Sequence, residues 1–331
     1  MGEVRWGIMG TGKISSRFVE DLAQADGAVL EAVGSRTLDR AEAFAEAFGV
    51  PKAYGSYEEL AGDGSLDVVY VGTPHIVHCD NMLLCIEAGL PVLCEKPFTM
   101  NAYEAARVVQ AAREREVFVM EAMWTRFVPV VRRVRELIEA GVIGAPRVFI
   151  ASLGQPPTET VAPYLRSLED GGGLLLDAAV YPISLAYHLL GVPDAVTGTA
   201  QFHTSGVDDQ EAIQLSYEDG RLASITATLR AAIPPAFGIY GESGAIVVEP
   251  PLFAPERATL FTDGREPERI ELPRLGRGYV HEIAEVIRLL ALGRLESDVM
   301  PLDESLAIMR TLDDLRSQWG LVYPFEAEAR R

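Results

Sequence analysis

The strongest constraint on the fold is a rhythm. Over the first 122 residues, short apolar strands alternate with amphipathic helices. Val4–Met9 reads as strand, Ile14–Gln24 as helix, Val29–Gly34 as strand, and Leu38–Phe48 as helix with Ser35 or Thr37 as its cap. Asp67–Gly72 and Ile76–Ala88 repeat the pattern, with Gly89 at the stop position. Pro91–Cys94, Tyr103–Glu114 and Val117–Met120 extend it. Apolar strands joined through helices lie parallel in a sheet covered on both faces, and right-handed crossovers bring their carboxyl ends to one edge. The expected fold is α/β, with an N-terminal doubly wound parallel sheet of the Rossmann type over residues 1–122.

After about Trp124 the rhythm changes. A helix over Val128–Ala140 stops at Gly141, and strand-like runs follow: Arg147–Leu153, Glu211–Tyr217, Leu222–Leu229, Gly238–Tyr240, Ile246–Glu249 and Ala258–Phe261. Tyr217-Glu218-Asp219-Gly220-Arg221 is a hairpin signal through its Asp-Gly pair, and Pro156-Pro157 and Pro250-Pro251 mark loops. Helices over Val280–Leu292 and Leu302–Ser317 end the chain. Residues 123–331 are therefore expected to form an α+β domain on a large, mostly antiparallel sheet. A length of 331 residues, more than one core usually spans, agrees with two domains.

Gly10-Thr11-Gly12-Lys13-Ile14-Ser15 lies between the first strand and the first helix. Gly10 permits the tight turn, Gly12 lets a pyrophosphate approach the backbone, and the helix start offers free N–H groups. Ser15, at the third position of the fingerprint, is still small. The placement of this motif in a strand–turn–helix unit predicts dinucleotide binding. The second strand then runs Gly34-Ser35-Arg36-Thr37-Leu38-Asp39-Arg40, with no carboxylate directly after it to take ribose hydroxyls. Arg36 and Arg40 supply a fork suited to a 2′-phosphate, so NADP is expected, with NAD possible. Asp39 reads as a first-turn helix charge.

Three loops at the strand ends are expected to converge on the nicotinamide: Gly72-Thr73-Pro74-His75, Glu95-Lys96-Pro97 and Glu121-Ala122-Met123-Trp124-Thr125-Arg126. Lys96 at the mouth of a buried strand is either functional or a loop lysine reaching solvent. His75 and His78, three apart, either face one ligand or cap near a cofactor; spacing suggests no third donor, and no metal is expected. Trp124 either floors a substrate pocket or plugs the domain seam. In Gly171-Gly172-Gly173-Leu174-Leu175-Leu176-Asp177-Ala178-Ala179-Val180-Tyr181-Pro182, Asp177 is a candidate N-cap. Because Pro182 fits only a first turn, the helix is expected to begin near Asp177, with Tyr181 on the same face.

A net charge of −19 argues against nucleic acid or an anionic membrane as partner, while a small anionic ligand needs only local donors. No apolar run approaches a membrane span, and the amino terminus lacks a signal-peptide layout. Cys79, Cys85 and Cys94 form no C-x-x-C pair, which fits reduced thiols and a cytoplasmic location.

Through the G-x-G turn, Glu95-Lys96-Pro97 and the Gly-Gly-Gly…Asp…Tyr segment, the chain resembles the glucose–fructose oxidoreductase / inositol dehydrogenase (Gfo/Idh/MocA) family over essentially its whole length. It is most similar to the branch of dimeric dihydrodiol and D-xylose dehydrogenases, through Ser35–Ala41, Ala53–Leu60, Val92–Pro97, Glu121–Phe127 and Gly206-Val207-Asp208-Asp209. The resemblance implies Lys96 as the catalytic lysine and Tyr181 as acid/base, with Asp177 orienting the helix start and bonding the lysine or substrate. It also implies an open-faced second sheet that forms a homodimer or higher assembly.

The implied reaction passes a hydride between the nicotinamide and a carbinol or carbonyl carbon. A phenol with pKa about 10 is a poor base at neutral pH, and a nearby lysine ammonium lowers that value. The expected substrate is a sugar, polyol or dihydrodiol-type molecule. Gln201-Phe202-His203 contains no arginine, which favours the sugar or polyol over an aromatic diol. The alternatives are a family member that retains NAD(P) without net turnover, a non-catalytic NADP sensor, or a pure scaffold.

Overall fold

The computed structural model describes residues 2–155 and 162–329. The chain packs as two compact units, one of Met1–Phe127 with Leu275–Leu306 and one of Val128–Arg274 with Ala307–Arg331.

In the first unit, six parallel strands run in the order β3-β2-β1-β4-β5-β6: β1 (Val4–Met9), β2 (Ala28–Gly34), β3 (Lys52–Tyr54), β4 (Val68–Val71), β5 (Val92–Glu95) and β6 (Val119–Ala122). This is the Rossmann strand order expected from the alternating pattern. β4, β5 and β6 are buried at every position, which is why they read as unbroken apolar runs. Helices α1 (Lys13–Leu22), α2 (Leu38–Phe48), α3 (Tyr57–Ala61), α4 (His78–Glu87) and α5 (Ala102–Glu114) connect them. The short β3 and α3 were not expected; three and five residues are too few to carry a period.

Register aligns the strand ends. Met9 pairs with both Gly34 and Val71, Val71 with Cys94, and Glu95 with Ala122. Gly10, Ser35, Gly72, Lys96 and Met123 therefore follow their strands along one sheet edge. The returning segment belongs to the same unit: α8 (Tyr279–Ala291) has its start capped by Asp21 of α1, whose buried carboxylate accepts from the backbone N–H groups of Arg277, Gly278 and Tyr279 at 2.9–3.0 Å.

The second unit holds an eight-stranded sheet, β14-β13-β12-β11-β7-β10-β9-β8. Its strands are β7 (Pro146–Gly154), β8 (Ala195–Phe202), β9 (Asp208–Ser216), β10 (Leu222–Thr228), β11 (Ile233–Gly241), β12 (Gly244–Val248), β13 (Arg257–Thr262) and β14 (Glu268–Glu271). All neighbours are antiparallel except β7 with β10. The β9–β10 hairpin turns at Asp219-Gly220, where Gly220 has φ 85°, as its Asp-Gly pair predicts. The helices of this unit are α6 (Pro129–Glu139), α7 (Val180–Leu190), most of α9 (Leu302–Trp319) and α10 (Pro324–Ala329). Every residue of α7 is buried.

On the sheet, Phe149, Ala151 and Leu153 are buried while Ile150 is exposed, the alternation of a sheet covered on one face. Register carries an apolar row across the open face: Leu222 pairs with Val148, Val148 with Tyr240, Tyr240 with Ala245 and Ala245 with Phe261. Pro156-Pro157 lies outside the described residues. No helix of the described residues is long and apolar enough to cross a membrane.

Candidate functional site

The turn after β1 opens onto a cavity of about 600 Å³ lined by Gly10, Thr11, Gly12, Ser16, Ser35, Arg36, Arg40, Tyr57, Thr73 and Pro74, with Phe44 and Phe48 of α2 beside them. Gly10 has φ 100°, and a Cβ there would stand 3.0 Å from the Gly72 carbonyl oxygen. Gly12 is the N-cap of α1, with no side-chain cap; a Cβ there would meet only Gly72 O, at 3.9 Å. The space above Gly12 is therefore open, with helix-start N–H groups beside it, which is the cradle a pyrophosphate needs. The site thus fits a dinucleotide. The bulk of Ser15 is accommodated on the strand side: Ser15 is buried and its Oγ donates to Gly72 O at 3.4 Å.

Arg36 and Arg40 are exposed at the end of β2 and the start of α2, and both line the cavity. Among the described residues neither guanidinium has an ion-pair or hydrogen-bond partner, and Asp39 does not line the cavity. Ser35 is buried with its hydroxyl 3.3 Å from that of Thr11, so it ties the two turns together instead of capping α2. Thr37 occupies the cap position without a side-chain cap bond. Lys13 is exposed and Ile14 half-buried at the start of α1, and neither lines the cavity.

The loop after β4 is braced from behind. Asn81 donates to Thr73 Oγ1 at 2.9 Å. His78 is buried, with Nε2 2.9 Å from Thr73 O and Nδ1 3.0 Å from Pro97 O, so its ring links the β4 loop to the Glu95-Lys96-Pro97 loop. Burial, with His75 adding, pushes its pKa down to about 4; the ring, neutral at pH 7, carries one N–H and donates to one of the two carbonyls. His75 is buried in a short helical turn, its ring edge-on to His78. Among the described residues no cluster of three metal-ligating side chains occurs.

Glu95 is buried; its Oε1 accepts from Tyr70 OH at 2.7 Å and its Oε2 from the Lys96 N–H at 3.1 Å, which holds the backbone of Lys96 at the strand end. Lys96 is half-buried and joined to Pro97 by a cis peptide bond. Trp124 packs against Tyr279 with the rings tilted by 36° and centroids 4.7 Å apart, inside the first unit. Arg126 is fully buried, donating to Val299 O at 3.0 Å and paired with Glu304 at 2.6 Å; it anchors the returning segment.

In the second unit, the helical run carrying Asp177 and Tyr181 starts earlier than expected. A wide turn over Leu175–Ala179 precedes α7, so Asp177 lies inside the run and is not its cap. Asp208 caps it: its Oδ2 accepts the Leu175 N–H at 2.7 Å. Asp177 accepts from Tyr164 OH at 2.9 Å, and Tyr181 is buried edge-on against Phe253. Pro182 is the third residue of α7, in the first turn after the wide turn, where a helix tolerates a missing N–H. Gln201-Phe202-His203 ends edge strand β8; Arg230 donates to Phe202 O at 2.9 Å, so an arginine does reach this segment, from elsewhere in the chain.

Reading the sequence missed Ser16 and Tyr57 in the cavity wall. Asp21 was missed too, although a carboxylate between Phe18 and Leu22 on the buried face of α1 signals a fixed internal partner.

Comparison with known proteins agrees with this architecture. A family model described as the GFO_IDH_MocA oxidoreductase family, NAD-binding Rossmann fold, matches residues 4–123. A second, the GFO/IDH/MocA C-terminal domain, matches residues 131–247. Trans-1,2-dihydrobenzene-1,2-diol dehydrogenase of Xenopus laevis is 37% identical, the alignment covering 97% of this chain and 99% of that one. The Homo sapiens protein of the same name is 34% identical, over 97% and 98%. A 3-ketoreductase from Actinomadura kijaniata, solved with NADP and TDP-benzene, superposes with a TM-score of 0.85 at 26% identity, over 96% and 98% of the two chains.

Proposed function

The chain belongs to the Gfo/Idh/MocA oxidoreductase family, and on that footing we propose that it is an NADP-dependent enzyme acting on a carbinol or carbonyl carbon of a sugar, polyol or dihydrodiol. The observation that carries the choice of nucleotide is the pair Arg36 and Arg40, two guanidinium groups without a protein partner among the described residues, at the cavity beside the G-x-G turn. The solved 3-ketoreductase with NADP supports the same choice. The unit of Met1–Phe127 with Leu275–Leu306 serves the nucleotide, and the unit of Val128–Arg274 with Ala307–Arg331 the substrate and self-association.

Gly10, Thr11, Gly12 and Ser35 hold the phosphates, and the loops at Thr73, Glu95 and Lys96 carry the reactive end. When bound, the nicotinamide supplies or takes up the hydride. Tyr181 moves the proton: its hydroxyl donates to the substrate oxygen in reduction and removes the proton in oxidation. Lys96 supplies positive charge that favours the phenolate and stabilises developing alkoxide. Asp177 positions the substrate. The curated relatives weigh the trans-dihydrodiol more heavily than the local reading of Gln201–His203 did.

The open apolar row from Leu222 to Phe261 supports pairing of two copies through the second sheet. Three buried free cysteines suit a cytoplasmic setting. The test is a spectrophotometric screen of sugars, polyols and trans-dihydrodiols with NADP(H) and NAD(H). Arg36→Asp should reverse the nucleotide preference, and Tyr181→Phe should lose turnover while still binding NADPH. An active Tyr181→Phe enzyme would overturn the mechanism.

A further inference from the structure

The stretch Ala53–Leu60 has no role in the scheme above, yet it is built against the nucleotide cavity. Glu59 N–H donates to Ser56 Oγ at 3.1 Å, and the Gly55 N–H donates back to Glu59 Oε2 at 3.0 Å, a reciprocal cap that fixes the first residue of α3, Tyr57. Gly34 lets α3 lie directly on the end of β2, since a Cβ there would stand 2.9 Å from Leu60 Cβ. Tyr57 is consequently half-buried in a wall shared by two cavities. One is the 600 Å³ cavity with Arg36 and Arg40; the other, of about 450 Å³, adjoins it at Arg36 and Pro74.

Among the described residues, the Tyr57 hydroxyl and both guanidinium groups have no hydrogen-bond partner. Three donors lining one space without a protein acceptor call for a ligand rich in acceptor oxygens. A phosphate monoester provides three such oxygens, whereas a ribose hydroxyl provides one. Burial raises the phenol pKa, outweighing the opposing charges of Arg36 and Arg40, so the hydroxyl arrives as a donor at neutral pH.

We propose that Tyr57 is a specificity-determining residue for the 2′-phosphate of NADP, donating its phenolic O–H to that group beside Arg36 and Arg40. The inference rests on the NADP reading above and extends it to a neutral third donor.

Calorimetric titration of the full chain with NADPH, NADH and 2′,5′-ADP tests it. Removing one hydrogen bond to a charged oxygen in Tyr57→Phe should lower the NADPH-over-NADH preference, and weaken 2′,5′-ADP, about tenfold. Tyr57→Leu, a second variant that also removes the ring, should show at least the same loss of preference. If wild type shows no preference for NADPH, the NADP reading fails and the inference falls with it. If Arg36→Asp abolishes the preference while Tyr57→Phe and Tyr57→Leu keep it, only the inference is overturned.

Discussion

Asp208 Oδ2 accepts the backbone N–H of Leu175 at 2.7 Å, so a strand of the second sheet caps the helix that carries Asp177 and Tyr181. The contact depends on Gly173, at φ 125°, where a Cβ would clash with the Asp208 carboxylate. The glycine run and the Gly206-Val207-Asp208-Asp209 segment are thus two halves of one joint.

Asp208→Ala removes that cap and should cost about 1–3 kcal/mol of stability in urea unfolding. Because the change lies in the second unit, NADPH binding should persist while turnover falls through misplacement of Tyr181. Unchanged turnover in a folded Asp208→Ala protein would show that the joint does not position the tyrosine.

The two glycines of the phosphate turn should respond oppositely to alanine. Gly12→Ala adds a methyl into open space, so thermal stability should hold while dinucleotide affinity drops more than about tenfold, the methyl taking up the approach of the phosphates. Gly10→Ala places a side chain at φ 100° and should lose about 1–2 kcal/mol of stability. Paired melting curves and NADPH titrations separate the two roles; equal effects on both readouts would contradict the assignment.

Glu121 is buried, its Oε1 accepting the Phe98 N–H at 3.0 Å, and burial, with the charge of Glu95 adding, pushes its pKa up to about 7. A carboxyl whose pKa is raised on folding contributes stability that is fully present below about pH 4.5 and lost as pH rises through about 7. Glu121→Gln keeps an acceptor for Phe98 and cannot ionise. The stability of wild type relative to this variant should fall by about 3 kcal/mol between pH 4.5 and 7.5. A difference independent of pH in denaturant titrations would remove the charge from the account.

Arg126 is placed by its motif beside the cofactor loops, yet its side chain is spent on Val299 and Glu304. Arg126→Ala leaves the buried guanidinium's partners without a cation and should cost about 3–5 kcal/mol in unfolding. A folded Arg126→Lys variant should retain its NADPH affinity. A selective loss of NADPH affinity at full stability would instead put Arg126 in the nucleotide site.

The parallel strands were legible because burial on both faces leaves unbroken apolar runs, as in Val68–Val71 and Val92–Glu95. β8 and β14 were not legible: they lie at the two edges of the second sheet, where most of their residues stay exposed and the alternation fades. The phosphate turn could be read from local backbone demands alone. The start of the Tyr181 helix could not, since its cap comes from Asp208, 33 residues further along the chain. Spacing placed His75 and His78 near the cofactor loops, but only the fold reveals that the His78 ring sits between carbonyl groups of two loops. Lys96 and Tyr181 were singled out through family motifs, because a lysine after a strand and a tyrosine in a helix carry no spacing of their own.

The cap that Asp21 places on Arg277–Tyr279 has a consequence for biosynthesis. More than 250 residues separate that aspartate from its partners, so the nucleotide unit stays incomplete on the ribosome until the returning segment emerges. Until then the Phe18 and Trp124 rings, which meet Tyr279 in the finished fold, lack their apolar neighbour. The nascent chain therefore passes through a long interval with an unfinished first core, and a fragment ending near Phe127 should need chaperone protection that the full chain does not.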